Sequence, residues 1–168
     1  LPSAGSSRIT PTTPLSIGQH VTSVRRVVDL LGLDCVAVVG HDSGGMIARH
    51  AMAGDARLSA MGLIDTEQPH GMSWRFKMFL AGRKMPGFGA ALGWLAGKPA
   101  LRRNGFVLGD AFVDRSLLDG EFDEFFLRPL AEAPARRAAP MAVLRTFQPR
   151  SVPALGALHR PTARRAPA

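Results

Sequence analysis

Residues 40–45 read Gly-His-Asp-Ser-Gly-Gly, and they join two segments of opposite character. Before them, Cys35 to Val39 is a short continuous apolar run, suited to a strand buried on both faces of a parallel sheet. After them, Met46 to about Ala53 has helical character. A chain can leave a strand and enter a helix within so few residues through one turning residue held at positive φ. The residues two positions away must then be small. With Asp42 at the centre, Gly40 stands at −2, Gly44 at +2 and Gly45 at +3, so every steric demand is met. Centring on Ser43 puts His41 at −2, a poor fit. The pattern therefore selects an aspartate over a serine as the residue lifted clear of the sheet, where a helix N-terminus favours negative charge. Phosphate-binding loops also join strand to helix, but the Lys of a P-loop and the G-x-G-x-x-G spacing are both lacking.

The flanking segments extend the same pattern. Residues 1–16, rich in Ser, Thr, Pro and Gly, read as an extended loop, with Ser16 placed to cap a helix. Ile17, Val21, Val24, Val28 and Leu31 recur at helical spacing, and Gly32 is the expected stop. Ser59 to Ile64 is a second strand candidate, ending at Asp65. The order helix, strand, tight turn, helix, strand is α/β. Residues 69–147 show apolar faces at helical spacing, broken by Pro86, Pro99, Pro129, Pro134 and Pro140, with no clear strand. Phe122, Phe125, Phe126 and Leu130 are expected on one such face. From residue 148 the chain turns Pro-, Arg- and Ala-rich, and 148–168 is expected to fray as a disordered tail.

Composition narrows the classes. The chain has 168 residues, 46% of them apolar, which allows one ordinary domain. Cys35 is its one cysteine, so no intrachain disulfide is possible and no metal site is expected; a reducing, cytoplasmic setting follows. No signal-like or membrane-spanning run is present, so no membrane partner is expected. The net charge is +8, and 18 of the 21 basic residues are Arg. Arg, Ala, Gly and Pro share GC-rich codons, and the basic residues are mostly scattered. Without a nucleic-acid-binding motif, no nucleic acid partner is expected; a polyanion binder stays as a lesser alternative.

The stretch L-D-C-V-A-V-V-G-H-D-S-G-G, residues 33–45, resembles strand 5 and the nucleophile elbow of the α/β-hydrolases, in particular the epoxide hydrolase and haloalkane dehalogenase group. Leu15 to Leu31 is similar to the helix before that strand, and Met61 to Pro69 to strand 6 and the start of the cap. The resemblance implies an incomplete α/β-hydrolase fold, with few parallel strands, flanking helices and a helical cap. Residues 1–68 would be the central part of the core, 69–147 the cap, and 148–168 the tail.

The resemblance also implies a mechanism. Asp42 would attack an electrophilic carbon of a small apolar substrate and form an ester, which water hydrolyses. The Ser43 backbone N–H would donate to the oxyanion. Asp65 stands where some dehalogenases keep the acid that orients the catalytic His, with Glu67 a weaker candidate. His41 and Trp74 would shape the substrate pocket. No cofactor is implied.

Three departures from the group bear on chemistry. There is no Tyr, although the epoxide hydrolases use two cap tyrosines as acids. Ser43 follows the nucleophile where haloalkane dehalogenases place Trp, leaving Trp74 and Trp94 as halide donors, with core packing as their other reading. The group's catalytic His follows a last strand near the C-terminus, and neither that strand nor the first strands of the sheet can be found. His159 is the one histidine in the right region, in surroundings unlike the catalytic loop; His20, His50 and His70 read as packing, surface or loop residues. The expectation is a truncated hydrolase, inactive alone, from a gene fragment or frameshifted reading frame. Ester, epoxide and haloalkane substrates all stay open. A non-catalytic interaction protein, self-associating through exposed strand edges, is the alternative.

Overall fold

The structure, a computed structural model, describes residues 1–3, 7–10 and 12–163, with the side chains of 135 and 159–163 left aside. Its elements fall into two units. One comprises Leu1, Ser16–Lys77 and Thr146–Ala168; the other comprises Pro2–Leu15 and Met78–Arg145.

In the first unit, helix α1 (Ile17–Leu30) begins as its sequence signals require: Ser16 Oγ accepts the Gln19 N–H at 3.0 Å. It ends on Gly32 at φ 59°, where the Leu33 N–H reaches back to the Val28 carbonyl at 3.2 Å. Strand β1 (Val36–His41) follows, then α2 (Ser43–Met52) and β2 (Leu58–Ile64). The two strands are parallel and pair with each other, His41 opposite Ile64. The strand pair joined by a helix is the smallest unit of a parallel sheet. Val28, Ala51, Met52 and Leu58 form its core, and Val21, Val24, Val36, Val38 and Met61 pack against them.

Three expectations change here. β1 is covered on one face only. Val38 packs on the core, whereas Ala37 and His41 are exposed and Val39 is 70% exposed. The cause is the helix layer: α1 and α2 contribute the core on one side, and the alternating residues face away from it. Second, α2 starts at Ser43, so a single residue, Asp42, stands between strand and helix. Third, within the segment expected to fray, residues 151–163 form α8 (Ser151–Ala163), with Val152 and Leu155 fully buried, while 164–168 lie outside the described residues. Pro153 lies in its first turn, where a missing N–H removes no helix bond.

The second unit is helical. The chain runs through α3 (Trp74–Gly82, divided between the units), α4 (Phe88–Ala96) and α5 (Pro99–Arg102). Two 3₁₀ turns, a π-helical turn (Asp123–Leu127), α6 (Arg128–Glu132) and α7 (Pro134–Thr146) follow. Pro99, Pro129 and Pro134 sit in first turns, whereas Pro140 lies inside α7 rather than breaking it. Its core holds Ala96, Leu118 and Leu127, with Leu108, Phe112 and Phe122 against them. The face expected of Phe122, Phe125, Phe126 and Leu130 is not kept. Phe125 and Phe126 are more than half exposed, and Leu127 takes the buried place. The π-helical turn adds residues to the turn and so rotates the 3.6-residue stripe out of register. Buried Arg102 ties this region together, bonding to Asp123 and, at 2.9 Å, to Asp119. Among the described residues no helix is long and apolar enough to cross a membrane.

Candidate active site

Asp42 adopts φ 50° and ψ −133° between the last residue of β1 and the first of α2. That is a sparsely populated conformation for a residue with a side chain, and it persists only where its surroundings enforce it. The surroundings are visible. The Asp42 N–H continues the ladder to the Ile64 carbonyl at 3.1 Å, and the Asp42 carbonyl takes the Gly45 N–H at 2.9 Å. A Cβ on Gly40 would lie 2.6 Å from the Gly45 Cα and 2.7 Å from the Gly44 carbonyl oxygen. A Cβ on Gly45 would lie 2.4 Å from Thr66 Oγ1. Both glycines are therefore required. Gly44 is different: a Cβ there meets nothing within 4 Å, so the third glycine answers no steric demand.

The Asp42 carboxylate is exposed and makes no capping bond to α2. Among the described residues its one side-chain partner is Ser43 Oγ, which donates at 3.5 Å. Ser43 opens α2, so its N–H belongs to the first-turn donors that no helix carbonyl satisfies. A negative charge at this point is favoured by the helix N-terminus.

Asp65 stands beside Asp42. It follows Ile64, which pairs with His41, so the two aspartates are the next residues in register. Asp65 too has positive φ, 44°. His41 is exposed at the end of β1. The parallel sheet thus brings His41, Asp42, Ser43 and Asp65 to one end, where such sheets commonly carry their sites. Trp74 opens α3, with the Arg75 guanidinium 5.8 Å from its ring.

Glu67 lies in a buried cluster with Arg49 and Thr66, an arrangement that the sequence pattern did not single out. Arg49, on α2, is 2% exposed. Its Nε donates to the Gly45 carbonyl at 3.1 Å; its Nη2 donates to Thr66 Oγ1 at 3.0 Å and to the Glu67 carbonyl at 2.7 Å. The Glu67 carboxylate, also buried, accepts from Thr66 Oγ1 at 2.9 Å and lies 3.9 Å from Arg49. Burial pulls the guanidinium down from its ordinary value, and Glu67 opposes that. The signal available in the sequence was an arginine set among Met46, Ile47, Ala48, Ala51 and Met52, all of which are buried. Its position four residues after Gly45 places it one turn along the same face.

The remaining histidines are elsewhere. His20 is buried on α1, His50 lies on α2, and His70 is exposed in the loop after β2. The side chain of His159 lies outside the described residues. Among the described residues no imidazole bonds to Asp42 or Asp65. Nor do three His, Cys, Asp or Glu side chains gather there as metal ligands.

A strand, a strained turning residue and a helix, backed by a parallel neighbour, define the α/β-hydrolase class of site. The profile of the Alpha/beta hydrolase family matches residues 1–165, and the chain belongs to that family. Its fold is similar to a solved structure among the carboxylesterases of the ammonia-oxidizing thaumarchaeon Nitrososphaera gargenis, at 18% identity and a TM-score of 0.58. That match covers 94% of this chain and 56% of the other. A second solved structure, Est816, described as an N-acyl homoserine lactone degrading enzyme, is 22% identical with a TM-score of 0.43, covering 87% of this chain and 54% of that one. The chain thus spans little more than half the length of either. No curated protein matches it.

Proposed function

We propose that the chain carries the nucleophilic half of a hydrolase that works through an ester on Asp42. The observation that supports this reading is the backbone at Asp42, held at φ 50° by Gly40 and Gly45 with its carboxylate exposed. The carboxylate attacks an electrophilic carbon of a small apolar epoxide or haloalkane. A carbon–oxygen bond to Asp42 forms as the carbon–halogen or epoxide C–O bond breaks, the electron pair leaving with halide or with the epoxide oxygen, which takes a proton from water. Water then cleaves the ester at its carbonyl and restores the carboxylate. The Ser43 N–H would stabilise the oxyanion of that second step. Asp65, next in register, would orient the base that activates the water, with His41 and Trp74 shaping the pocket. Glu67 is set aside for that role because its carboxylate is engaged in the Arg49 cluster.

With no imidazole bonded to either aspartate among the described residues, the first step should outrun the second. Loss of a triad base costs roughly 10⁴-fold. Incubation with a haloalkane or an epoxide is therefore expected to add one mass equivalent to the intact chain, with little turnover. Asp42→Asn should abolish the addition. Equal labelling of Asp42→Asn, or no addition by any probe, would refute this reading.

A second reading rests on the sheet. Among the described residues β1 and β2 pair only with each other, and Val39 and Ile64 are more than half exposed. We infer that these edges and this face support self-association. Size-exclusion chromatography should then show elution that shifts with protein concentration; a single monomeric peak at every concentration rules it out.

A further inference from the structure

A cavity of about 410 Å³ lies in the first unit, between α1, α2 and the turn that leads into α8. Its lining contains none of His41, Asp42, Ser43 or Asp65, so it is separate from the candidate active site. The volume falls within the range of small-molecule sites. Its walls divide in two by chemistry. Ile17, Val21 and Met46 supply apolar surface. Arg25, His50, Gln148 and Ser151 supply polar groups, and among the described residues no carboxylate lines the cavity.

Arg25 and Gln148 are held in place and have capacity to spare. Arg25 donates from Nε to the Ala51 carbonyl and from Nη2 to the His50 carbonyl, both at 2.8 Å. These bonds anchor the guanidinium on the end of α2 and leave Nη1 unengaged among the described residues. The Gln148 side-chain oxygen accepts from Arg150 Nε at 2.8 Å, which turns its amide nitrogen into a spare donor. The His50 ring makes no hydrogen bond among the described residues. Three donors beside an apolar wall, with a fixed cation and no anion, call for an acceptor group that carries negative charge.

We propose that this cavity binds a small carboxylate with an aliphatic tail, the head on Arg25, Gln148 and His50 and the tail along Ile17, Val21 and Met46. Burial first, and then the charges of Arg49 and Arg25, hold the His50 imidazole below its ordinary value. A bound carboxylate offsets those charges, so the ring reports occupancy.

The test uses the full chain and hexanoate, read by the NMR resonances of the His50 ring, assigned by their loss in His50→Gln. Hexanoate should shift them saturably and raise the pH of their titration midpoint. Hexanol, hexylammonium and inorganic phosphate should each bind roughly tenfold more weakly or worse, since each lacks the head or the tail. Arg25→Gln should weaken hexanoate by a similar factor. Because that change also frees two carbonyls, Gly18→Leu is the second variant: a Cβ there meets only Ser16 Oγ, at 3.9 Å, so the fold accepts it while the cavity narrows. An absent or unsaturable shift, phosphate or hexanol binding as tightly as hexanoate, or hexanoate binding unchanged in Gly18→Leu would overturn the proposal.

Discussion

Gly40→Ala should unfold far more readily than the parent chain, by about 3 kcal/mol or more in a urea titration. A Cβ at residue 40 meets the Cα and N of Gly45 and the Gly44 carbonyl oxygen within 2.7 Å. All three are backbone atoms, so no rotamer change relieves the overlap; the turn itself must open. Opening it moves Asp42, so labelling by a haloalkane should fall in parallel. Gly44→Ala, four residues along the same turn, is the control with the opposite sign. It meets nothing within 4 Å and lies in α2, where Ala replaces Gly with a gain of up to about 1 kcal/mol. Equal urea midpoints for the two variants would show that the turn is looser than its geometry implies.

Arg49→Met is expected to lower the melting temperature by on the order of 10 °C, from a loss of about 3–5 kcal/mol. The guanidinium is the donor for the Gly45 and Glu67 carbonyls and for Thr66 Oγ1, all in a buried setting. Removing it strands those acceptors and leaves the Glu67 carboxylate without a cation. Adding Glu67→Gln should restore part of the loss, because an uncharged pair no longer needs one. Arg49→Lys keeps the charge without the planar fork and should fall between. A melting temperature unchanged in Arg49→Met would mean that Thr66 and Glu67 are held by other means.

The first half of the chain was largely legible in its sequence. α1 was marked by its apolar spacing and by Ser16 and Gly32, and both ends lie within a residue of expectation. The turn at 40–45 was legible because backbone geometry restricts it to small residues, and such restrictions survive any tertiary context. What escaped depends on partners distant in sequence. The burial of one face of β1 was decided by which helices pack on it, and a continuous apolar run cannot say whether one face or both will be covered. Leu127 displaced Phe125 and Phe126 from the core because a π-helical turn changes the period on which the expectation rested. α8 was hidden by the Pro-, Arg- and Ala-rich composition of its segment, although Pro153 sits harmlessly in the first turn of the helix. The Arg49 cluster was invisible because a lone arginine on an apolar helix declares nothing until Thr66 and Glu67 are placed beside it.

The two neighbouring aspartates with positive φ, Asp42 and Asp65, restrict how this chain can drift. Gly accepts that backbone freely and Asn about as readily as Asp, whereas β-branched residues do not. The substitutions easiest for the shape are therefore the ones most damaging to the proposed chemistry. A single change to Asn at either position would erase a carboxylate and leave the architecture untouched. Descendants of such a sequence can lose a reaction long before they lose a fold, and a preserved outline is then no witness to a preserved activity.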